Sequence, residues 1–340
     1  MSDAKLDIIV THYNEPWELG EKLFTILRLQ RGVDFDDFRV LIVHDGTDDF
    51  PREYFKNMPY RVDQVIIPHA GIAAARNEGI RSATAPWIMF CDFDDTFSNI
   101  YALRDYLGLL PNDDLNMMWA PFIAEDRTKD GQFILNLRGQ NLVFVHGKMY
   151  RRQYLLEEQL WFPEDLEFNE DSAFNAILNT ICDPKKIGEI KAPMTPYVWA
   201  FNPRSLTTTP GNRYKAMIGL YWRNRKVVDV FKARMPHDRF CAMVARACVD
   251  AYYILNLSEI PEELKPIRED FVGFYHENKE AMWETPADLL RQIKAISRAE
   301  HETGDREEEQ RLGELALNIP HADRTVTQWL DMIWKEGETT

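Results

Sequence analysis

Residues 87-WIMFCDFDD-95 run an apolar stretch straight into three aspartates. The unbroken run from Trp87 to Cys91 reads as a strand buried on both faces, which puts Asp92, Asp94 and Asp95 at its carboxyl end. Carboxylates packed this closely repel one another. A positive charge is therefore expected among them, and a hard divalent cation is the simplest.

The chain leading to this stretch alternates short β-branched runs with helical patterns. In order they are LDIIVTHY (6–13), ELGEKLFTILRLQ (18–30), FRVLIVHD (38–45), VDQVIIP (62–68) and GIAAARNEGIRSA (71–83). Such alternation predicts βαβ units and a parallel sheet with right-handed crossovers. Ligands of these sheets gather beyond the carboxyl ends of the strands, where the polar clusters THYNE, HDGTDD and DFDD all fall.

Beyond residue 115 the pattern changes. NMMWAPFIAED (116–126), a turn at KDGQ, FILNL (133–137) and NLVFVHG (141–147) read as a β-hairpin region of mixed direction. A helix is predicted around EDSAFNAILNTIC (170–182), then extended pieces through TPYVWAFNP (195–203). After Pro210 and Gly211 the reading is helical, with amphipathic segments near 212–232, 236–256, 261–280 and 286–300. The expected fold class is α/β, with domains at 1–209 and 210–340.

Composition bounds the function. A chain of 340 residues with 45% hydrophobic and 12% aromatic content can bury a proper core. A net charge of -15 disfavours non-specific adhesion to nucleic acid or anionic lipid. The one basic stretch, from Arg213 to Arg234 with Tyr221 and Trp222, reads as a helix with a core face and a solvated face, with a membrane surface, an anionic acceptor or nucleic acid as alternatives. Cys91, Cys182, Cys241 and Cys248 form no C-x-x-C pair and read as reduced core residues of a cytoplasmic protein. The apolar run at the N-terminus is too short for a signal peptide, and no segment approaches the ~20 apolar residues of a membrane span.

Taken in order and spacing, VTHYNE, VHDGTDD, the G-x-x-x-A-R-N-x-G of GIAAARNEG, DFDD and the Glu-Asp pair of FNEDSAF resemble the family 2 inverting glycosyltransferases with the GT-A fold, over roughly residues 5–207. The resemblance implies a Rossmann-like nucleotide-binding sheet with a mixed β region, here followed by a C-terminal helical region. It implies a hexosyltransferase that uses a nucleotide-sugar donor, with a UDP-hexose or UDP-N-acetylhexosamine expected, and a hydroxyl acceptor such as a glycan. Mn2+ or Mg2+ is the implied cofactor. Peripheral membrane attachment and homo-oligomer formation stay open.

The resemblance also assigns residues. Thr11, Tyr13, Asn14, Glu15, Asp45, Gly71, Arg76 and Asp92 fall to the donor, with Tyr13 stacking on the base and Asp45 accepting its imide N–H. Asp94, with Asp92 and Asp95, falls to the metal that holds the diphosphate. Asp171, with Glu170 beside it, falls to the base that deprotonates the acceptor hydroxyl during inversion. Arg204 and Ser205, in a loop like the family's Y-x-Y-x-x-x-x-S-x-T, fall to the phosphates, and His146 and Lys148 to the acceptor side. Plainer roles compete: a helix N-cap for Asp95, a dipole partner for Glu170 and Asp171, a loop-shaping ion pair for Arg76. His44 departs from the family, standing where many members carry an aspartate. His69 is a second departure, without evident consequence.

Three other functions fit the sequence less well. A nucleotidyltransferase needs a glycine- and basic-rich loop after the first strand, which THYNEPW lacks. A non-catalytic sugar-binding protein has no need of both the aspartate cluster and the Glu-Asp pair. A nicotinamide-dependent dehydrogenase would require G-x-G-x-x-G, which GIAAARNEG does not supply.

Overall fold

The structure is a computed structural model, and it describes residues 4–46, 52–110, 114–128, 130–139, 143–191, 196–203, 212–232, 234, 236–255 and 265–283. The chain divides into two compact units, Met1–Thr209 and Pro210–Thr340. In the first unit the elements run β1 (Leu6–His12), α1 (Trp17–Arg28), β2 (Phe38–Asp45), α2 (Arg52–Phe55), β3 (Arg61–Ile67), α3 (Ile72–Ser82), β4 (Trp87–Asp92), β5 (Thr96–Phe97) and α4 (Ala102–Leu107). They continue as β6 (Met117–Trp119), β7 (Phe122–Arg127), β8 (Phe133–Arg138), β9 (Lys148–Arg151), α5 (Arg152–Glu157), α6 (Glu170–Ile181), β10 (Ile187–Glu189) and β11 (Tyr197–Trp199).

Seven strands form the main sheet in the order β10-β6-β9-β4-β1-β2-β3. Strands β1 to β4 are parallel, while β9 runs antiparallel to both β4 and β6. Every residue of β1 and β2 is buried, as their apolar runs require of central strands covered on both faces. The edge strand β3 is partly exposed. Register carries the functional consequence. His12 pairs with His44 and Thr11 with Asp92, so the carboxyl ends of β1, β2 and β4 finish level with one another.

A second sheet, β5-β11-β7-β8, holds the hairpin of β7 and β8 around the expected KDGQ turn. NLVFVHG is not a hairpin strand. Among its described residues, 143–147, the chain bends and turns, and β9 begins only at Lys148. Gly147 explains the turn: its φ is +68°, and a Cβ there would lie 2.8 Å from the Ala120 carbonyl oxygen. No helix follows the aspartates either, since residues 96 and 97 form the short strand β5. An N-cap role for Asp95 therefore falls away.

The second unit contains α7 (Asn212–Phe231), α8 (His237–Leu255) and α9 (Lys265–Trp283). Tyr221, Val227 and Val228 of α7 are buried, and the Tyr221 hydroxyl donates to Asp270 at 2.5 Å. Arg225 pairs with Asp229 and Asp270 at 2.7 and 2.8 Å, so this part of the basic stretch is engaged in helix packing. The helix expected near 286–300 lies outside the described residues. All four cysteines are buried thiols outside any disulfide. Among the described residues no helix is long and apolar enough to cross a membrane.

Candidate active site

At the end of β2 the buried Asp45 is fully engaged. Its carboxylate accepts from the Ala70 and Gly71 backbone N–H groups at 2.7 and 2.9 Å and from His69 Nδ1 at 2.8 Å. The turn entering α3 is thereby tied to β2, and Gly71 sits there at φ +93°, which a side chain would strain. The departure at His69 has a structural role after all: its ring bonds Asp45 and stacks on Tyr13 at 4.2 Å and 10°. Tyr13 remains 44% exposed.

Asn14, at φ +55°, turns the chain so that the Glu15 carboxylate accepts from the Tyr13 N–H at 2.5 Å. Burial pushes the Glu15 carboxyl up to about 7 against the pull of backbone N–H groups, with Asp94 and Asp92 adding to the rise. Beneath this turn His12 and His44 face each other, Nδ1 to Nδ1, at 3.1 Å. His12 Nε2 lies 3.0 Å from the Glu15 carbonyl oxygen and His44 Nε2 lies 3.1 Å from Gln64 Oε1. His44 thus continues a buried polar chain where the resemblance expects an aspartate.

Arg76, only 2% exposed, joins distant segments. Nη1 donates to Glu170 Oε1 at 2.6 Å and Nη2 to Asp92 Oδ1 at 2.8 Å, with the guanidinium 5.5 Å from the Phe162 ring centre. Burial disfavours its charge, yet Asp92 and Glu170 override this and raise its pKa further. Burial likewise acts to raise the pKa of Asp92, but Arg76 and His146 hold it well below the usual carboxylate range. Glu170 goes the other way, lifted to about 7 by burial and by Asp171 despite Arg76. Thr11 Oγ1 lies 3.5 Å from Asp92 Oδ1.

Asp171 stands in the first turn of α6, its Oδ1 accepting from the Ser172 N–H at 2.6 Å. Lys148 is buried, donates to the Phe144 carbonyl and is lowered by burial to about 7, with Asp171 pulling the other way. Lys148, which the resemblance sets on the acceptor side, is thus a buried amine that interacts with Asp171.

His146, set on the acceptor side by the same resemblance, stands beside the aspartates. Its Nε2 lies 3.6 Å from Asp92 Oδ2 and 3.6 Å from Asp95 Oδ2. Ligand atoms of Asp92, Asp95 and His146 all fall within 4.8 Å of one another, a donor set of two oxygens and one nitrogen that fits a divalent cation. Asp95 is wholly buried, accepting from the Tyr197 hydroxyl at 2.5 Å and the Ala200 N–H at 2.9 Å, and burial with Asp92 and Asp94 raises its pKa strongly. Asp94, raised by burial and by Asp92, accepts from Asn202 Nδ2 at 2.7 Å and stands outside that three-residue group. Arg204 and Ser205 lie outside the described residues. Tyr197 and Asn202 escaped the sequence reading because their partners lie 102 and 108 residues away.

Residues 7–159 match the family model described as Glycosyl transferase family 2. The chain is 24% identical over 247 residues to the uncharacterized glycosyltransferase EpsJ of Bacillus subtilis (strain 168), covering 64% of this chain and 69% of EpsJ. It is 22% identical over 185 residues to the poly(ribitol-phosphate) beta-N-acetylglucosaminyltransferase TarS of Staphylococcus aureus (strain Mu50 / ATCC 700699). That match covers 50% of this chain but only 31% of TarS, so the chain spans about a third of that relative's length. The crystal structure of S. aureus TarS 1–349 is similar with a TM-score of 0.58 at 15% identity, covering 98% of this chain and 92% of the other. Its complex with UDP gives a TM-score of 0.57 at 16% identity, covering 91% and 92%. At these identities the structural likeness carries the fold.

Proposed function

We propose that this chain, which is a glycosyltransferase of family 2 with the GT-A fold, moves a hexose or N-acetylhexosamine from a UDP-sugar to an acceptor hydroxyl with inversion. The observation that carries the reading is the Arg76 clamp. By bonding Asp92 and Glu170 at 2.8 and 2.6 Å, Arg76 holds the carboxyl end of β4 against the first turn of α6. That arrangement supports a single site for donor and base.

Within it, Tyr13 supplies the stacking surface for the base, and Asp45 acts by fixing the His69–Gly71 turn around that surface. The aspartates of 92-DFDD-95 hold Mn2+ or Mg2+, which when bound stabilises charge on the departing diphosphate. Asp171 takes the proton of the acceptor hydroxyl as that oxygen attacks, and Glu170, anchored by Arg76, keeps the turn in place. UDP is favoured as the nucleotide because TarS, of like fold, crystallises with UDP and with UDP-GlcNAc. Residues 1–209 form the catalytic domain, and the region 210–340 is assigned to acceptor choice, self-association or support of that domain, with the protein working in the cytoplasm.

The test is a thermal-shift screen of UDP-, GDP-, CDP- and dTDP-sugars with and without Mn2+. A ligand that binds only the folded state raises apparent stability. UDP-sugars should raise it most, and only with metal. A purine nucleotide preferred over UDP, or an unchanged response without metal, would overturn the corresponding part of the reading.

A further inference from the structure

We propose that His146 is a ligand of the donor-site metal, and that this imidazole makes the site selective for a transition-metal cation such as Mn2+ over Mg2+. The inference rests on the metal-dependent reading above and extends it to the identity of the ion. His146 is 5% exposed, and neither ring nitrogen has a hydrogen-bond partner among the described residues. Buried polar groups are almost always satisfied, so a histidine with two unsatisfied nitrogens calls for an explanation.

Its surroundings point that ring at one place. Trp199 stacks on it at 5.1 Å and 18°, and the rings of Phe122, Tyr197 and Phe144 lie 5.3, 5.5 and 5.8 Å away. This aromatic collar prevents the imidazole from swinging toward water and leaves Nε2 facing the aspartates. The carboxylates are presented to match. Asp92 gives Oδ1 to Arg76 and keeps Oδ2 on the His146 side. Asp95 gives Oδ1 to the Ala200 N–H, and its Oδ2, which accepts from Tyr197, also lies on the His146 side.

Spacing decides between a hydrogen bond and a shared ion. At 3.6 Å both Nε2-to-oxygen separations exceed a normal hydrogen bond. Neighbouring ligands on one ion, with metal–ligand bonds of about 2.0–2.2 Å, lie about 3.0–3.6 Å apart. The ligand types then select the metal. Mg2+ prefers an all-oxygen octahedron with several waters, whereas one imidazole beside two carboxylates suits Mn2+ and its neighbours in the first transition row. The competing role for His146 is a protonated ring that neutralises the two aspartates, with the metal held elsewhere on the loop.

Pulsed electron paramagnetic resonance of the full chain with Mn2+ and UDP separates the two. A directly bound imidazole gives the Mn2+ signal a 14N coupling, which should be present in the wild type and absent in His146→Asn. A Mn2+ titration followed by loss of the free-ion signal should show affinity weakened about tenfold or more in the variant, a loss of the size seen when a metal's supporting shell is removed. Mg2+ affinity, read by competition, should change less than threefold. Mn2+ bound together with UDP but without nitrogen coupling would overturn the role of His146 and leave the proposed function standing. A coupling that persists in His146→Asn would also overturn it, by assigning the ligand to another nitrogen. No Mn2+ uptake in the presence of UDP would overturn both readings. The wild-type spectrum decides the question even if the variant folds poorly.

Discussion

The two ends of the main sheet each bury an arginine between carboxylates, with opposite results. At the amino end Arg39 donates to Asp7 at 2.8 and 2.5 Å and to Asp63 at 2.8 Å, and Asp7 also accepts the Thr84 and Ala85 N–H groups. That cluster is satisfied within itself. At the carboxyl end Arg76 meets Asp92 and Glu170, but Glu15, Asp94, Asp95 and Asp171 stand around the same pair, and burial raises Glu15, Asp94, Asp95 and Glu170. One ionic motif therefore closes the sheet at one end and leaves surplus negative charge at the other. Surplus charge that the protein does not neutralise is where a cationic ligand gains most.

Breaking the satisfied end should produce the largest effect on stability. Arg39→Ala leaves Asp7 buried without its counter-charge, and such losses cost about 3–5 kcal/mol. Donor affinity of the folded fraction should not move. Denaturant unfolding beside a UDP titration checks this, and a specific loss of UDP binding in a stable variant would erase the contrast between the two ends.

At the acidic end the largest effect should fall on chemistry. Asp171→Asn keeps the size of the side chain but cannot accept a proton, so turnover should fall by about 100-fold, or about 2.7 kcal/mol of barrier, with UDP affinity unchanged. A residue that only complemented the α6 dipole would lower stability by about 1 kcal/mol or less and spare turnover. Transfer or donor-hydrolysis rates near wild type would move the base to Glu170 and then to Asp165. Next in size is Tyr13→Ala, expected to weaken UDP by about 1–3 kcal/mol, the range of a base–aromatic stack. Calorimetric titration measures it, and an unchanged Kd would remove Tyr13 from the base pocket.

What could be read in advance follows the range of the forces involved. Buried strands announce themselves through apolar runs, so β1, β2 and β4 and the polar clusters at their ends were legible, as were α3 and α6 from their periodicity. His146 was visible as a residue type but was assigned to the acceptor side. Its place among the aspartates depends on the Gly147 turn and on β9 pairing antiparallel with β4 and β6. Local pattern does not encode such pairing. Asp45 shows the same limit: its position was legible, but its engagement by His69, Ala70 and Gly71 is a property of the folded turn.

The smallest effect concerns Glu15, and its sign tests whether the surplus charge is real. Its folded value is about 7 against an ordinary 4.5, raised by burial and then, after the opposing backbone N–H groups, by Asp94 and Asp92. A carboxyl whose folded value is raised favours the native state while protonated, so its contribution is complete below about pH 4.5 and is lost as pH rises through 7. Glu15→Gln stays neutral at every pH. Below pH 5 the variant and wild type should therefore be about equally stable, and by pH 8 the ligand-free wild type should be the weaker. His12, lowered by burial, contributes an opposing slope in both proteins, which largely drops out of their difference. Glu15 is about one-third exposed, so solvent screening holds the gap below about 1 kcal/mol. Denaturant unfolding across that pH range reads the gap directly, and saturating Mn2+ with UDP should narrow it by neutralising Asp94 and Asp92, which add to the rise that burial dominates. Parallel curves for the two ligand-free proteins would mean that the carboxyl end of the sheet is as self-satisfied as the Arg39 end.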